Sequence, residues 1–447
     1  QIRRLRDHAS IALWCGDNEC VGALKWFPAS KADPEFYRQA LLKRHAVQDE
    51  MVAKYDPARM FWPSSPCAGP GNFADNWKND SQGDMHNWQV WHDNMPFETY
   101  YKSRPRFCSE FGYQSFPSPE LTETFLPEGE RNPLSDAYFN HQKAKSVRNG
   151  DGTSRLLRII NREFLYPDGQ ENAALLSQIL QGIALRTAIH YWRSLRPYCM
   201  GAMVWQLNDC WPVASWSSID FYGNWKALQH HAKRLFGEVT VLSQPGSRPG
   251  EARVGGVTDL TDAQLQGSVL MTLYSFGGKV LGTKTVDARL DSRTLFETSY
   301  QLPSRVDSTH CVLLVQFLGI DGRPMAQKLH YFASPAHLRL RATDWRWGSN
   351  ENVWAEGKRR TITIRNNGVL MKDVMLTTQP HIDGHFSDNF FDLLPGEEKV
   401  ISFIPYNPRD PQLRLPVLVE LRCLNDVITD TTSFEPPQRW HQRYRRR

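Results

Sequence analysis

The chain has 447 residues and a mass of 51.5 kDa, with 40% apolar and 23% charged residues. That is the composition of a folded globular protein of about three domains, not of a disordered or fibrous one. Lys+Arg 53 against Asp+Glu 48 gives +5, but Arg439, Arg443, Arg445, Arg446 and Arg447 carry five of those charges, so the pI of 8.7 is no argument for a nucleic-acid partner.

Apolar runs are short. The longest, around Val312–Leu318, suits a buried strand and falls well below the roughly 18 residues of a membrane span, so no membrane partner is expected. The sequence opens on Gln-Ile-Arg-Arg with no signal-peptide core after it, the mark of a start removed by processing or truncation. Eight cysteines are scattered without Cys-x-x-Cys or zinc spacing, which favours reduced, structural thiols.

In chain order, residues 1–236 alternate short apolar runs with helical patterns. Strands are predicted at Ile11–Cys15, Met60–Trp62, Asp84–Trp88, Arg106–Ser109 and Gly201–Leu207. Asp33 as N-cap and Pro34 at the first helical position open a helix whose apolar positions are Phe36, Ala40, Val47 and Met51. A second helix runs from Glu171 to about Leu195. Strand, loop, helix and strand in series imply a parallel sheet. After Phe236 the pattern turns to alternating short segments: Leu260–Gly267, Val269–Ser275, Thr283–Ala288, Thr294–Tyr300 and Cys311–Leu318. A break at Ala333-Ser334-Pro335 precedes Leu338–Ala342, Arg360–Asn366, Val374–Thr378, Glu398–Ile404 and Leu415–Leu424. Two such sets read as β-sandwiches over 237–335 and 336–435, with a basic tail at 436–447.

Of 15 tryptophans, eleven precede residue 237. Several adjoin polar loops (Trp62-Pro63-Ser64-Ser65, His86-Asn87-Trp88, Trp205-Gln206-Leu207-Asn208-Asp209), where aromatic faces beside hydrogen-bonding groups suit a sugar. Two acidic residues each follow an apolar strand: Glu19, after Ile11–Cys15, and Glu110, after Arg106–Ser109. In a closed parallel barrel the C-terminal strand ends converge. Two carboxylates there are the equipment for glycoside hydrolysis.

The strings Ser10-Ile11-Ala12-Leu13-Trp14-Cys15-Gly16-Asp17-Asn18-Glu19, Phe107-Cys108-Ser109-Glu110-Phe111-Gly112-Tyr113-Gln114-Ser115 and Trp205-Gln206-Leu207-Asn208-Asp209-Cys210-Trp211-Pro212 together resemble the β-mannosidases of glycoside hydrolase family 2. Ser217-Ser218-Ile219-Asp220 and Phe386-Ser387-Asp388-Asn389-Phe390-Phe391 extend the resemblance. It implies a multidomain chain: strands 4–8 of a (β/α)8 TIM barrel over 1–236, then two Ig-like β-sandwiches, with no metal or organic cofactor. It further implies that Glu19 is the acid/base, Glu110 the nucleophile, Asn18 the holder of the substrate 2-hydroxyl, and Trp205 the platform under the sugar. His86 and Trp88 would line the pocket.

Trp91 is expected at the pocket rim with Trp26 as a second rim or packing residue, and Asp209 as a pocket wall or a loop-bonding group. Arg104 and Arg106 are candidate donors to Glu110 or solvent-side charges, and His230 and His231 are expected on a helix surface. Many enzymes of the clan hold the nucleophile with a Tyr where this chain reads His-Asn-Trp, which leaves the residue orienting Glu110 open.

Barrel strands one to three and the N-terminal domains of the family have no counterpart here, so the chain is expected to be part of a longer enzyme whose missing half is its partner. The expected activity is exo-hydrolysis of terminal β-D-mannose from manno-oligosaccharides. The alternatives are another family 2 exo-glycosidase (exo-β-glucosaminidase, β-galactosidase or β-glucuronidase), or an inactive sugar-binding or structural chain. Compartment is not legible.

Overall fold

A computed structural model describes residues 1–74, 79–145, 151–164, 167, 169–261, 264–343, 353–354, 360–414 and 417–428. The chain forms two compact units, Gln1–Tyr113 with Thr187–Trp205, and Gln114–Arg186 with Gln206–Arg447. Trp77, the residues 415–416 of the last predicted strand and the basic tail lie outside the described residues.

The first unit holds five short parallel strands: β1 Leu13–Asn18, β2 Met60–Ser65, β3 Met85–Asn87, β4 Cys108–Phe111 and β5 Ala202–Val204. They form two sheets, β1-β2 and β3-β4-β5, each in chain order, as successive strands joined by crossovers require. Each predicted strand has a counterpart, displaced by up to two residues at its start.

The helix Pro34–Tyr55 begins as the sequence dictates. The Asp33 side chain accepts from Phe36 N–H and Pro34 needs no partner for its missing N–H. Its buried face differs from the expected one. Phe36, Ala40 and Val47 are exposed, and Leu41, His45 and Val52 turn inward. His45 wins a place on that face because Asp17 Oδ2 lies 2.8 Å from its Nε2, a pairing that a count of apolar residues does not register.

Behind β4 sits an aromatic core. Phe111 meets Trp192 at 4.7 Å and Trp91 meets Tyr113 at 5.2 Å, both edge to face, the arrangement that ring quadrupoles favour. Trp91 is fully buried. It is therefore a core residue and not a pocket rim, because the helical turn Gln89–His92 points it into the protein.

In the second unit, the helix Ala227–Leu235 buries both His230 and His231, against the expected surface position. Gly182 leaves room for the His231 ring: a Cβ there would lie 2.4 Å from His231 Cδ2. Burial with Arg234 nearby holds His230 down to about 3 and His231 well below the ordinary histidine range, so both rings pack in the neutral form.

Two β-sandwiches follow. The first has β6 Val239–Pro245, β7 Glu251–Thr258, β8 Leu265–Ser275, β9 Val280–Leu290, β10 Phe296–Gln301, β11 Cys311–Gly319 and β12 Pro324–Tyr331. Its sheets are β10-β7-β6 and β12-β11-β8-β9, closed over Val254, Met271, Leu313 and Phe317. The last three residues of the predicted segment Leu260–Gly267 and all of Val269–Ser275 are one strand, β8. Gly267 is not a turn but a close approach, since a Cβ there would meet Leu318 O at 1.9 Å.

The second sandwich has β13 Val353–Trp354, β14 Thr361–Arg365, β15 Met371–Gln379, β16 Gly384–Phe386, β17 Phe391–Leu393, β18 Glu398–Pro405 and β19 Val417–Arg422. Its sheets are β13-β19-β15-β17 and β14-β18-β16, over Ile364, Leu376, Ile401 and Phe403. Leu338–Ala342 lies in no strand, although Leu338 and Leu340 are buried. Between the sandwich cores Lys372 is 1% exposed. Its ammonium lies 2.9 Å from Asp373, 3.7 Å from Asp392 and 4.5 Å from the Tyr331 ring centre.

Candidate active site

β1 delivers Asn18 and then Glu19 at its end. Asn18 is exposed and opposite Ser65 in the β1-β2 register. Glu19 adopts a left-handed backbone, φ 58 and ψ 9, which costs a non-glycine residue of order 1 kcal/mol. Bonds on both sides hold it there: its N–H reaches Ser65 O at 2.7 Å, and its carbonyl accepts from Ala23 N–H at 2.9 Å. Asp17 anchors the strand below, accepting from Ser64 Oγ at 2.6 Å besides pairing with His45.

β3 supplies His86 and, just beyond its end, Trp88; β4 supplies Glu110. His86 is 2% exposed and stands opposite Glu110 in the register. Its Nδ1 lies 2.8 Å from Glu19 Oε1 and 3.7 Å from Glu110 Oε1. One oxygen of each carboxylate and a ring nitrogen of His86 all lie within 4.8 Å of one another. The imidazole hydrogen-bonds Glu19 at 2.8 Å and stands near Glu110 at 3.7 Å, beyond hydrogen-bond reach.

Trp88 donates its indole N–H to Glu110 Oε1 at 3.0 Å. Burial pushes the Glu110 carboxyl above the usual glutamate range, with the Glu19 charge adding to it, while His86 and the Trp88 bond pull it back. Trp88, following His86-Asn87, is thus the donor that orients this carboxylate. Arg104 and Arg106 do not take that part: their guanidinium groups lie 5.7 and 5.3 Å from the Tyr198 ring centre.

Trp205 follows β5, bonds through its N–H to Phe111 O at 2.8 Å and is 43% exposed. Its backbone is therefore tied next to Glu110 while its ring remains available to solvent. Asp209 belongs to the second unit. Oδ2 of its buried carboxylate accepts from Ser215 Oγ at 2.8 Å and Ser217 Oγ at 2.5 Å and so organises a loop, while Oδ1 lies 3.9 Å from the Lys143 ammonium. Trp26 is 39% exposed at the end of the helix Cys20–Trp26, its ring packed on Gly22.

Sequence reasoning missed the polar floor of the site. Asp84, 9% exposed, accepts from Ser65 Oγ and Ser109 Oγ at 2.6 Å each, and from Trp62 Nε1 and Cys67 N–H at 3.0 Å each. Ser65 Oγ is also 3.1 Å from His86 Nε2. Gly83 makes this possible with φ +59, where a Cβ would strike Cys67 O at 1.9 Å. The signal was present in Gly83-Asp84-Met85-His86: residues two apart on a strand share a face.

The Phe386–Phe391 block has a structural task. Asp388 pairs with Arg234 and with Lys399 at 2.6 Å, and the Asn389 side chain bonds both the N–H and the carbonyl of Leu376.

Among the described residues no helix is long and apolar enough to cross a membrane. Residues 349–427 match the Ig-fold domain model of mannosidases. The chain is 31% identical over 258 residues to beta-mannosidase B of Thermothelomyces thermophilus, covering 54% of this chain and 29% of that protein. It is 28% identical over 281 residues to the beta-mannosidase of Rattus norvegicus, 58% of this chain and 31% of that one. The crystal structure of the beta-D-mannosidase from Dictyoglomus thermophilum superposes with a TM-score of 0.76 at 31% identity, over 95% of this chain and 49% of that one. An exo-chitosanase from Amycolatopsis orientalis superposes at 0.64 with 15% identity, over 94% and 52%, a likeness of fold. The chain thus spans about half the length of the solved β-mannosidase and less than a third of the two curated relatives.

Proposed function

We propose that this chain, which is similar to the C-terminal part of family 2 β-mannosidases, carries the catalytic pair of a retaining exo-β-mannosidase that removes terminal non-reducing β-D-mannose. In this reading the five parallel strands are the fourth to eighth of a (β/α)8 barrel. The observation that carries the proposal is the closeness of Glu19 and Glu110, with oxygens within 4.8 Å across His86. Retaining enzymes hold their carboxyl groups about 5–5.5 Å apart, whereas inverting ones need about 6.5–9.5 Å to admit a water.

Glu110 attacks the anomeric carbon while Glu19 gives its proton to the departing oxygen. The resulting glycosyl ester is neutral, so Glu19 then loses a negative neighbour and acts as base on the incoming water. Glu110 has to be ionised to attack. The Trp88 N–H and the nearby His86 ring oppose the burial that disfavours that form, and protonation of Glu19 removes its repulsion. Asn18 at the end of β1 is assigned to the 2-hydroxyl, and Trp205 offers a flat apolar surface to the sugar.

The test is covalent trapping. A 2-deoxy-2-fluoro-β-mannosyl fluoride, which forms the ester quickly and loses it slowly, should label Glu110. It should be applied to the chain alone and to the chain supplied with the part of a full-length relative that it does not span. Label on Glu19, or trapping by the gluco- but not the manno-configured reagent in the supplemented protein, would overturn the reading.

A further inference from the structure

We propose that Asp84 is a positioning residue that fixes the proton on Nε2 of His86 and thereby commits a second proton to the contact between His86 Nδ1 and Glu19. The second half rests on the acid/base reading of Glu19; the first half stands on geometry alone.

Each serine hydroxyl has one proton. Ser65 and Ser109 both lie 2.6 Å from Asp84 Oδ2, and bonds to a carboxylate outcompete neutral ones. Ser65 lies farther from Ser109 Oγ, at 3.2 Å, and from His86 Nε2, at 3.1 Å. With its proton spent on Asp84, Ser65 Oγ can only accept from His86, so Nε2 bears a hydrogen.

Nδ1 then faces Glu19 Oε1 at 2.8 Å, a contact that is repulsive between a bare nitrogen and a bare carboxylate. A proton therefore lies between them, which is the proton an acid needs. Losing it would turn the ring to its other tautomer and require Ser65 to swing its hydrogen from Asp84 to Nε2, giving up the shortest bond of the set. The other ionisable groups around this pair are Glu110 on β4, Asp17 with its partner His45 on the neighbouring helix, and the Cys15 and Cys67 thiols beside Asp84.

The direct test is nitrogen NMR on the 447-residue chain labelled with ¹⁵N-histidine, the His86 signals being identified by their loss in His86→Gln. A directly bonded proton on Nε2 near neutral pH supports the proposal. A bare Nε2 with a proton only on Nδ1 overturns it. No turnover is involved, so failure of the chain to cleave mannosides would count against the proposed function and leave this result standing.

Asp84→Asn tests the cause. The fixed donors Trp62 Nε1–H and Cys67 N–H would hold the amide oxygen, turning its NH2 toward the two serines, whose hydroxyls then reverse. Ser65 would donate to Nε2, and His86 should switch to the Nδ1–H tautomer. In the supplemented protein, hydrolysis of a mannoside with a poor leaving group should fall about ten- to a hundredfold at neutral pH, with the alkaline limb of kcat/KM moved to lower pH. The glycosylation step with an activated aryl mannoside should be little changed. An unaltered tautomer, or equal losses on both substrates at every pH, would overturn the proposal. Should Asp84→Asn not fold, Ser65→Ala and the conservative Ser65→Thr provide the same contrast, with loss in the first and recovery in the second, and equal behaviour of the two would overturn it.

Discussion

Replacing Trp88 by Phe keeps an aromatic ring near His92, whose ring centre lies 5.0 Å away, but removes the indole N–H that reaches Glu110 at 3.0 Å. Trp88 is 8% exposed and the Glu110 side chain 14% exposed, so water cannot readily take the donor's place. A hydrogen bond to a charged group at such a site contributes about 1.5–3 kcal/mol. The bond stabilises the ionised carboxylate only, and at 1.36 kcal/mol per unit its loss moves the Glu110 ionisation up by about 1–2 pH units. Burial already pushes that carboxyl up, so the change adds to an existing shift.

The assay is the pH dependence of kcat/KM on an aryl β-mannoside, with the chain supplied with the part of a full-length relative that it does not span. The acid limb should move to higher pH by about 1–2 units, with a loss of about ten- to a hundredfold on the acid side and a much smaller loss on the plateau. A limb that stays in place while the rate falls equally at all pH would refute the electrostatic argument and leave Trp88 with a steric part only.

Further outcomes follow from the same geometry. Glu110→Ala should abolish hydrolysis and, given azide, form α-mannosyl azide, whereas Glu19→Ala should keep activity on good leaving groups and form the β-azide; exchanged products would reverse the two roles. Because burial holds the Glu110 carboxyl above its unfolded range, the stability this group contributes is present in acid and lost as pH rises through the folded value. Glu110→Gln should therefore raise Tm at pH 7, by a margin that shrinks below about pH 4; a lower Tm at pH 7 would refute this. Lys372→Met leaves Asp373 and Asp392 buried without their cation and should cost about 3–5 kcal/mol by denaturant unfolding, and a change under about 1 kcal/mol would contradict the pairing.

The parts of the fold written in local chemistry were legible. Asp33-Pro34 starts its helix, five apolar runs became five parallel strands, and alternation beyond Phe236 announced sheets. Glycine misled where it served close approach instead of a turn, as at Gly267, and in β7 Gly255-Gly256 interrupts the alternation, whereas β6 was passed over although its Val239-Thr240-Val241-Leu242 is strand-like. The carboxylates were legible because they follow apolar strands, and His86 because the block around it resembles the family. Trp91 was misplaced because residue type beside a polar loop does not say which way a side chain turns, and of the two readings open for Asp209 the serine bonds match the loop-bonding one. The Asp84 floor draws on three strand ends and one backbone N–H, a long-range assembly whose only local trace is two residues on one strand face.

Glu19 has a consequence for the history of such a chain. Its left-handed backbone is one that glycine adopts freely, so Glu19→Gly would relieve strain while erasing the acid. Folding stability alone would push this codon toward glycine or asparagine. In the proposed reading, a lineage no longer required to cleave a glycosidic bond should shed this residue for the sake of its backbone, and Glu110, seated in an extended strand, only for the sake of its buried charge. Position 19 would then drift toward residues that accept a left-handed backbone and position 110 toward a neutral side chain, two separate records of whether the pocket has been kept at work.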